Sequence, residues 1–189
     1  MTPKPGYFIK VPFFWKPGCP LPGAAQRLQF RAAERVWLEG ALGQVMASSP
    51  DPSDAHAVQQ MGPRGAALDL LAAVQPYFEF AAAWWQRAED QDGEPVGFVL
   101  PVVFADAART RDGLREGTIF HMGVLPSQRG KGYGDALLAQ ATRTLCAVGV
   151  WRIFCDTAAY NAPMIAAFRA AGYLEREPWE RPISWPPPQ

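Results

Sequence analysis

Paired cysteines, long apolar runs and an excess of either charge are all missing from this chain, and each absence narrows what it can be. Eighteen basic residues balance eighteen acidic ones, so the formal net charge is zero. No global field draws the chain to nucleic acid or to an anionic membrane. No window approaches the roughly 20 apolar residues of a membrane-spanning helix. The three cysteines, Cys19, Cys146 and Cys155, have no paired spacing. That argues against a disulfide framework and a zinc site, so no metal is expected and a reducing cytoplasm is the expected location. A secretory pattern is missing too: Pro3, Pro5 and Pro12 interrupt the N-terminus, and the apolar run Val11 to Trp15 is too short. What remains is a chain of 189 residues, 49% of them hydrophobic, which suits one domain with a real core.

The pattern along the chain is mixed. Residues 1–24 are rich in proline and aromatics and read as an extended arm, with Tyr7 to Val11 at most an edge strand. Such an arm offers a surface for pairing across a homodimer. Residues 25–182 read as one domain and residues 183–189 as a loose tail. Within the domain, Leu28 to Arg31 alternates like a short strand. Leu38, Ala41, Leu42 and Val45 recur at helical spacing, although Gly40 and Gly43 each weaken a helix by up to about 1 kcal/mol. Arg64 to Gln75 is a second helical stretch, with Leu68, Leu71 and Val74 on one face. Phe80 to Glu89 and Val96 to Phe104 read as a hairpin around Asp90 to Gly93. Thr118 to Leu125 is a strand, Gly132 to Val148 a helix, Val150 to Thr157 a strand, and Asn161 to Ala171 a helix stopped by Gly172. Tyr173 opens a last strand.

Between the strand at Thr118 and the following helix stands Arg129-Gly130-Lys131-Gly132-Tyr133-Gly134. Glycine at every second position permits backbone angles that a Cβ forbids and lets a ligand approach the main chain. The next helix aims its free N–H groups and its positive end into the loop, which makes a phosphate or pyrophosphate site. A P-loop needs a Gly-Lys-Ser/Thr ending, which is absent. A dinucleotide loop needs Gly-x-Gly-x-x-Gly and alternating strands and helices before it. A plain tight turn is the third reading of the glycines alone.

Arg129 to Gly134 resembles the Gln/Arg-x-x-Gly-x-Gly/Ala signature of the GCN5-related N-acetyltransferase (GNAT) superfamily. Met122-Gly123-Val124-Leu125-Pro126 resembles the strand before that signature, and Asn161 through Tyr173 resembles the second motif. The resemblance implies an α/β fold with a mixed, mostly antiparallel sheet flanked by helices and splayed between the strands at 118–125 and 150–157. It implies acetyl-CoA as donor and a primary amine as acceptor, expected to be a small molecule. The loop residues Arg129, Gly130, Lys131, Gly132, Tyr133 and Gly134 would hold the pyrophosphate. Met122 and Val124 would pair their main chains with the pantetheine arm, with the thioester near Val124. Asn161 would hydrogen-bond in the cleft and Phe168 would line it.

The proton carriers are not assigned by the resemblance. The usual tyrosine acid is replaced by Phe168. Tyr160 and Tyr173 read as rim or packing residues and Cys155 as a small buried hydrophobe. His121 has a suitable side chain, but it stands an odd number of residues before Val124 and should face the other side. Thr118 and Phe120 take the favourable parity, and Glu116 could work through water. Asp106 to Glu116 carries Arg109, Arg111 and Arg115, which would favour an acidic acceptor if the connector covered it. Trp84 and Trp85 should face opposite sides of a strand. A non-catalytic acyl-CoA binding module is the alternative from another class, and a nucleotide-binding protein reusing the loop is a further one.

Overall fold

The computed structural model describes residues 2–23, 27–75 and 77–184. In chain order the elements are β1 (Tyr7–Trp15), β2 (Gln29–Ala32), α1 (Arg35–Ala47), α2 (Pro52–Ala72), β3 (Phe78–Glu79), β4 (Gln86–Glu89), β5 (Pro95–Phe104), β6 (Glu116–Val124), α3 (Gly134–Val148), β7 (Arg152–Ala158), α4 (Ala162–Ala170), β8 (Leu174–Glu175) and β9 (Trp179–Pro182). Among the described residues the strands form one sheet of order β2-β4-β5-β6-β7-β1-β8, with β3 beside β5 and β9 beside β1. Every pairing is antiparallel except β6 with β7. No described helix is long and apolar enough to cross a membrane.

The sheet is covered on both faces. Phe98, Leu100 and Val102 of β5 pack on one side with Leu38, Leu42 and Met46 of α1 and Leu71 of α2. On the other side Val99 of β5 packs with Leu137 and Ala141 of α3. Gly43 has a packing reason that outweighs its cost to the helix. A Cβ there would come within 2.8 Å of the Pro63 carbonyl oxygen, so glycine lets α2 lie close at its bend. That bend falls at Gly62-Pro63, where Gly62 leaves helical geometry at φ 71°. The second helix therefore starts at Pro52, a full segment earlier than its apolar periodicity suggests. Asp51 caps it by accepting from the Ser53 N–H.

The N-terminal arm is the main departure from expectation. Tyr7–Trp15 is an inner strand, flanked by β7 on one edge and by β8 and β9 on the other. Both edges of this strand are paired within its own chain. Pro12 is tolerated because its side of the strand falls between the end of β8 and the start of β9. There its carbonyl accepts from Arg176 N–H, and no ladder bond requires its missing donor. The residues of the tail from 185 onward lie outside the described residues.

Two smaller expectations also change. Ala82–Trp84 forms a 3₁₀ turn inside the expected first hairpin strand. Trp84 and Trp85 therefore do not alternate across a sheet, and Trp85 stacks on Phe80 with ring centroids 3.9 Å apart. On α2, Leu68 is exposed while Ala66, Ala67 and Leu71 are buried.

Candidate active site

The parallel pair β6 and β7 is joined only at one end. Glu116, Gly117 and Thr118 pair with Arg152, Ile153 and Phe154, and the ladder then stops. Beyond Thr118, β6 stays paired to β5 through Val124. The strands therefore splay, and one edge of β6 is left open. Leu125 N–H donates to Val96 O on the β5 side. Antiparallel alternation turns the His121 and Gly123 main chains the same way and leaves those of Met122 and Val124 facing the gap. The Val124 carbonyl accepts from Arg129 Nε at 3.4 Å, and the rest of an edge outside the ladder can accept an extended ligand as a missing strand would.

At the closed end Glu116 is fully buried. One carboxylate oxygen accepts from Arg109 at 2.6 Å, and the other meets Arg152. With both oxygens taken, Glu116 staples the two strands and is not available as a base. Arg109 is spent here, Arg111 lies over the Trp151 ring, and Arg115 pairs with Glu79. The arginine-rich connector thus sits at the closed end and does not cover the open one.

The glycine loop stands where β6 hands over to α3. Gly130 and Gly132 both take positive φ, 79° and 75°. Among the described residues no acceptor is recorded for the main-chain N–H groups of Gly130, Lys131, Gly132, Tyr133 or Gly134. Five successive free donors at the start of a helix form an anion cradle. Arg129 does not join it through its side chain. Its guanidinium donates to the Ser48 carbonyl at 3.1 Å and the Ser48 hydroxyl at 2.8 Å, capping the C-terminus of α1. Its own N–H is turned to Pro126 O. The Lys131 ammonium reaches Gln128 Oε1 at 2.7 Å.

Arg27 supplies the charge that Arg129 does not. Its guanidinium lies 5.3 Å from the Tyr133 ring centre and 4.0 Å from where a Gly132 Cβ would stand. Nothing in the local sequence marks Arg27, because it reaches the loop only through the fold. Replacing it with alanine should weaken CoA binding about tenfold at low salt and by less at high salt, as calorimetry at two ionic strengths would read.

The second-motif residues are more inward than expected. Asn161 caps α4 by accepting from Met164 N–H, and its amide donates to Thr157 Oγ1 at 3.0 Å. Phe168 lies in the core cluster against which Met122 also packs. It is 3% exposed and stacked on Phe13 at 4.8 Å, with Tyr173 on its other side. The Tyr173 hydroxyl meets Thr142 Oγ1 at 2.6 Å, and burial pushes its pKa well above the ordinary value. Burial likewise pushes the Cys155 thiol up to about 12. Both therefore stay protonated at neutral pH and are not bases there. Tyr160, in contrast, is exposed.

A profile of the acetyltransferase (GNAT) family matches residues 58–173. The chain belongs to the GNAT acetyltransferase family. A curated relative is the mycothiol acetyltransferase of Sanguibacter keddieii, 38% identical over 106 residues that make up 56% of this chain and 32% of that one. A GCN5-related N-acetyltransferase from Sphaerobacter thermophilus has a similar fold, with TM-score 0.59 and 18% identity over 94% of this chain and 53% of that chain. An aminoglycoside N-acetyltransferase, AAC(6')-Iy, solved with CoA, gives TM-score 0.52 and 21% identity over 79% of this chain and 90% of that chain. This GNAT chain thus spans about a third of the curated relative and about half of the Sphaerobacter protein.

Within this GNAT fold, β6 carries a bulge that the sequence does not announce. Leu100 pairs with His121 but Pro101 pairs with Ile119, so Phe120 is an extra residue. Parity flips there. Met122 and Val124 face α3 together with Ile119, whereas Phe120 packs against the α1 and α2 side. Phe120 therefore does not share the Val124 face as simple alternation implies. His121 does face away from Val124, stacked on Phe98 at 5.9 Å.

On that face lies a cluster of charged residues from four elements. Lys10 of β1 is 2.8 Å from Asp51 at the head of α2 and 3.1 Å from Asp156 of β7. His121 Nε2 is 3.7 Å from Asp54 Oδ2. Burial pushes the Asp54 carboxyl up, but His121, Ser49 and Lys10 together hold it below its ordinary range. For Lys10, burial acts to lower the pKa, and Asp156 and Asp51 outweigh it, so the net shift is upward.

Proposed function

We propose that this chain uses acetyl-CoA to acetylate the primary amine of a small-molecule acceptor by direct attack in the splayed cleft. The observation that carries the reading is the alignment of the free N–H groups of the glycine loop with the β6 main chain that lies outside the sheet ladder. The free N–H groups at Gly130–Gly134 suit a pyrophosphate, and the open edge at Met122 and Val124 continues from them. Arg27 adds positive charge at the phosphate end. The cleft holds donor and acceptor in one geometry, which supplies much of the rate. A main-chain N–H on the open β6 edge is placed to stabilise a developing oxyanion. The names of the relatives refer to mycothiol and to aminoglycosides, both small molecules.

A second reading, an acyl-CoA binding module without catalysis, is favoured by Phe168, which has no hydroxyl and sits in the core. Calorimetry with CoA, acetyl-CoA, NAD and ATP tests what both share. Binding of the two CoA species alone supports them, and binding of none removes both. Thiol release across polyamines, aminoglycosides, amino acids and peptide N-termini then separates enzyme from binder.

A further inference from the structure

We propose that His121 is the proton acceptor of the transfer reaction and that Asp54 is its positioning residue. This rests on the acetyl-CoA reading of the cleft. His121 follows the last paired residue of the closed end, Thr118, by three positions, and its neighbour Met122 turns its main chain to the gap. The phosphate cradle and α3 lie on one face of the sheet. The imidazole lies on the other, beneath α2, so donor and base approach the open edge from opposite faces.

A histidine kept only for packing would satisfy both ring nitrogens. Here Nδ1 is buried without any recorded partner. Nε2 lies 3.7 Å from Asp54, beyond hydrogen-bond distance, so the pair is a loose electrostatic contact rather than a structural clamp. The Phe98 ring fixes the imidazole plane. The charges facing this site are Asp54 of α2 and its cap Asp51, Lys10 from β1, Asp156 from β7 and Arg181 from β9, with the Tyr160 hydroxyl close to Asp51 and Lys10. Three carboxylates against the Lys10 ammonium and the Arg181 guanidinium leave one negative charge in excess. That excess favours an acceptor arriving as an ammonium ion.

The proton balance is as follows. The ammonium gives one proton to solvent and becomes a neutral amine. Its nitrogen forms the N–C bond to the acetyl carbon and passes a second proton to the His121 imidazole. The C–S bond breaks with its electron pair on sulfur, and the imidazolium proton goes on to that sulfur. The products are an amide, the CoA thiol and one proton in solution.

The chain has two histidines, so His56→Gln leaves His121 as the only imidazole for ¹⁵N NMR. Saturating acetyl-CoA should move the His121 signals. With hydroxylamine as a small surrogate acceptor, His121→Gln should cut thiol release about 100-fold at unchanged acetyl-CoA affinity. It should also remove the acid limb of the pH–rate profile. Asp54→Asn should lower kcat about tenfold with little change in KM, and Asp54→Glu should recover part of it. The inference is overturned if acetyl-CoA binds and the His121 signals stay put. It is equally overturned if His121→Gln keeps the wild-type rate, or if the wild type binds acetyl-CoA and releases no thiol to hydroxylamine. Failure of the wild type to bind acetyl-CoA at all would instead remove the proposed function, and calorimetry tells the two apart.

Discussion

Gly132→Glu should leave the fold standing and lower acetyl-CoA affinity by at least 100-fold. Gly132 sits at φ 75°, so any side chain there costs about 1–2 kcal/mol of backbone strain. The space around it is open. Among the described residues the nearest atom to a Cβ is Arg27 Nη1 at 4.0 Å, so none of them is struck. That strain corresponds to a fall of roughly 2–8 °C in Tm. Binding suffers for a separate reason. The new carboxylate projects beside the free N–H groups of Gly130–Gly134, repels a pyrophosphate and competes for Arg27. A 100-fold loss is about 2.7 kcal/mol, which strain alone does not supply. Gly132→Ala carries the strain without the charge and should lose only a few-fold. Calorimetry on the two variants separates the effects. If Gly132→Glu binds as tightly as the parent, the cradle is not where the pyrophosphate lies.

The loop was legible because its information is local. Alternating glycines after a strand and before a helix state a backbone geometry directly, and the positive φ values at Gly130 and Gly132 follow. The helices α1, α3 and α4 were legible for the same reason: their apolar period is set by one face each. Features that depend on distant partners were not. Tyr7–Trp15 reads as an arm because Pro12 argues against a central strand, and only the junction of β8 with β9 removes the objection. The bulge at Phe120 has no signature of its own, since it arises from register with β5 at Pro101. Arg129 stands in the phosphate signature but is claimed by Ser48, 81 residues away. Asp54 lies before the second helical stretch that the sequence marks at Arg64, and its relation to His121 needs the earlier start of α2, the bend at Gly62 and the packing of α2. Sequence thus reached the glycine loop and stopped short of the His121 and Asp54 pair.

Lys10→Met tests how those distant partners hold together, and it should be the most damaging single change to stability. Lys10 has a side-chain exposure of 10% and joins β1 to α2 through Asp51 and to β7 through Asp156. Removing one partner of a buried ion pair costs about 3–5 kcal/mol, because the remaining charge is left uncompensated. Here three carboxylates remain, Asp51, Asp54 and Asp156. A loss of that size lowers Tm by roughly 10 °C in a domain of this length. The pH dependence fixes the cause. The Lys10 pKa is raised above 10.5 in the folded state, so its stabilisation is complete below 10.5 and is lost as pH climbs through the higher folded value. The parent should therefore show an alkaline limb that Lys10→Met lacks. Asp54 works in the opposite direction. Its folded pKa is depressed, so its contribution is present above the ordinary carboxylate value of 3.8 and is lost as pH falls through the lower folded one. In Lys10→Met the crowded carboxylates gain by taking up a proton, so the gap in Tm between parent and variant should narrow from pH 7 to pH 5. A methionine fills the same channel, so lost packing volume would give a gap that does not change with pH. Thermal melts at pH 5, 7 and 10.5 distinguish charge from packing, and a gap constant across the three would remove the electrostatic account of how β1 is held in the sheet.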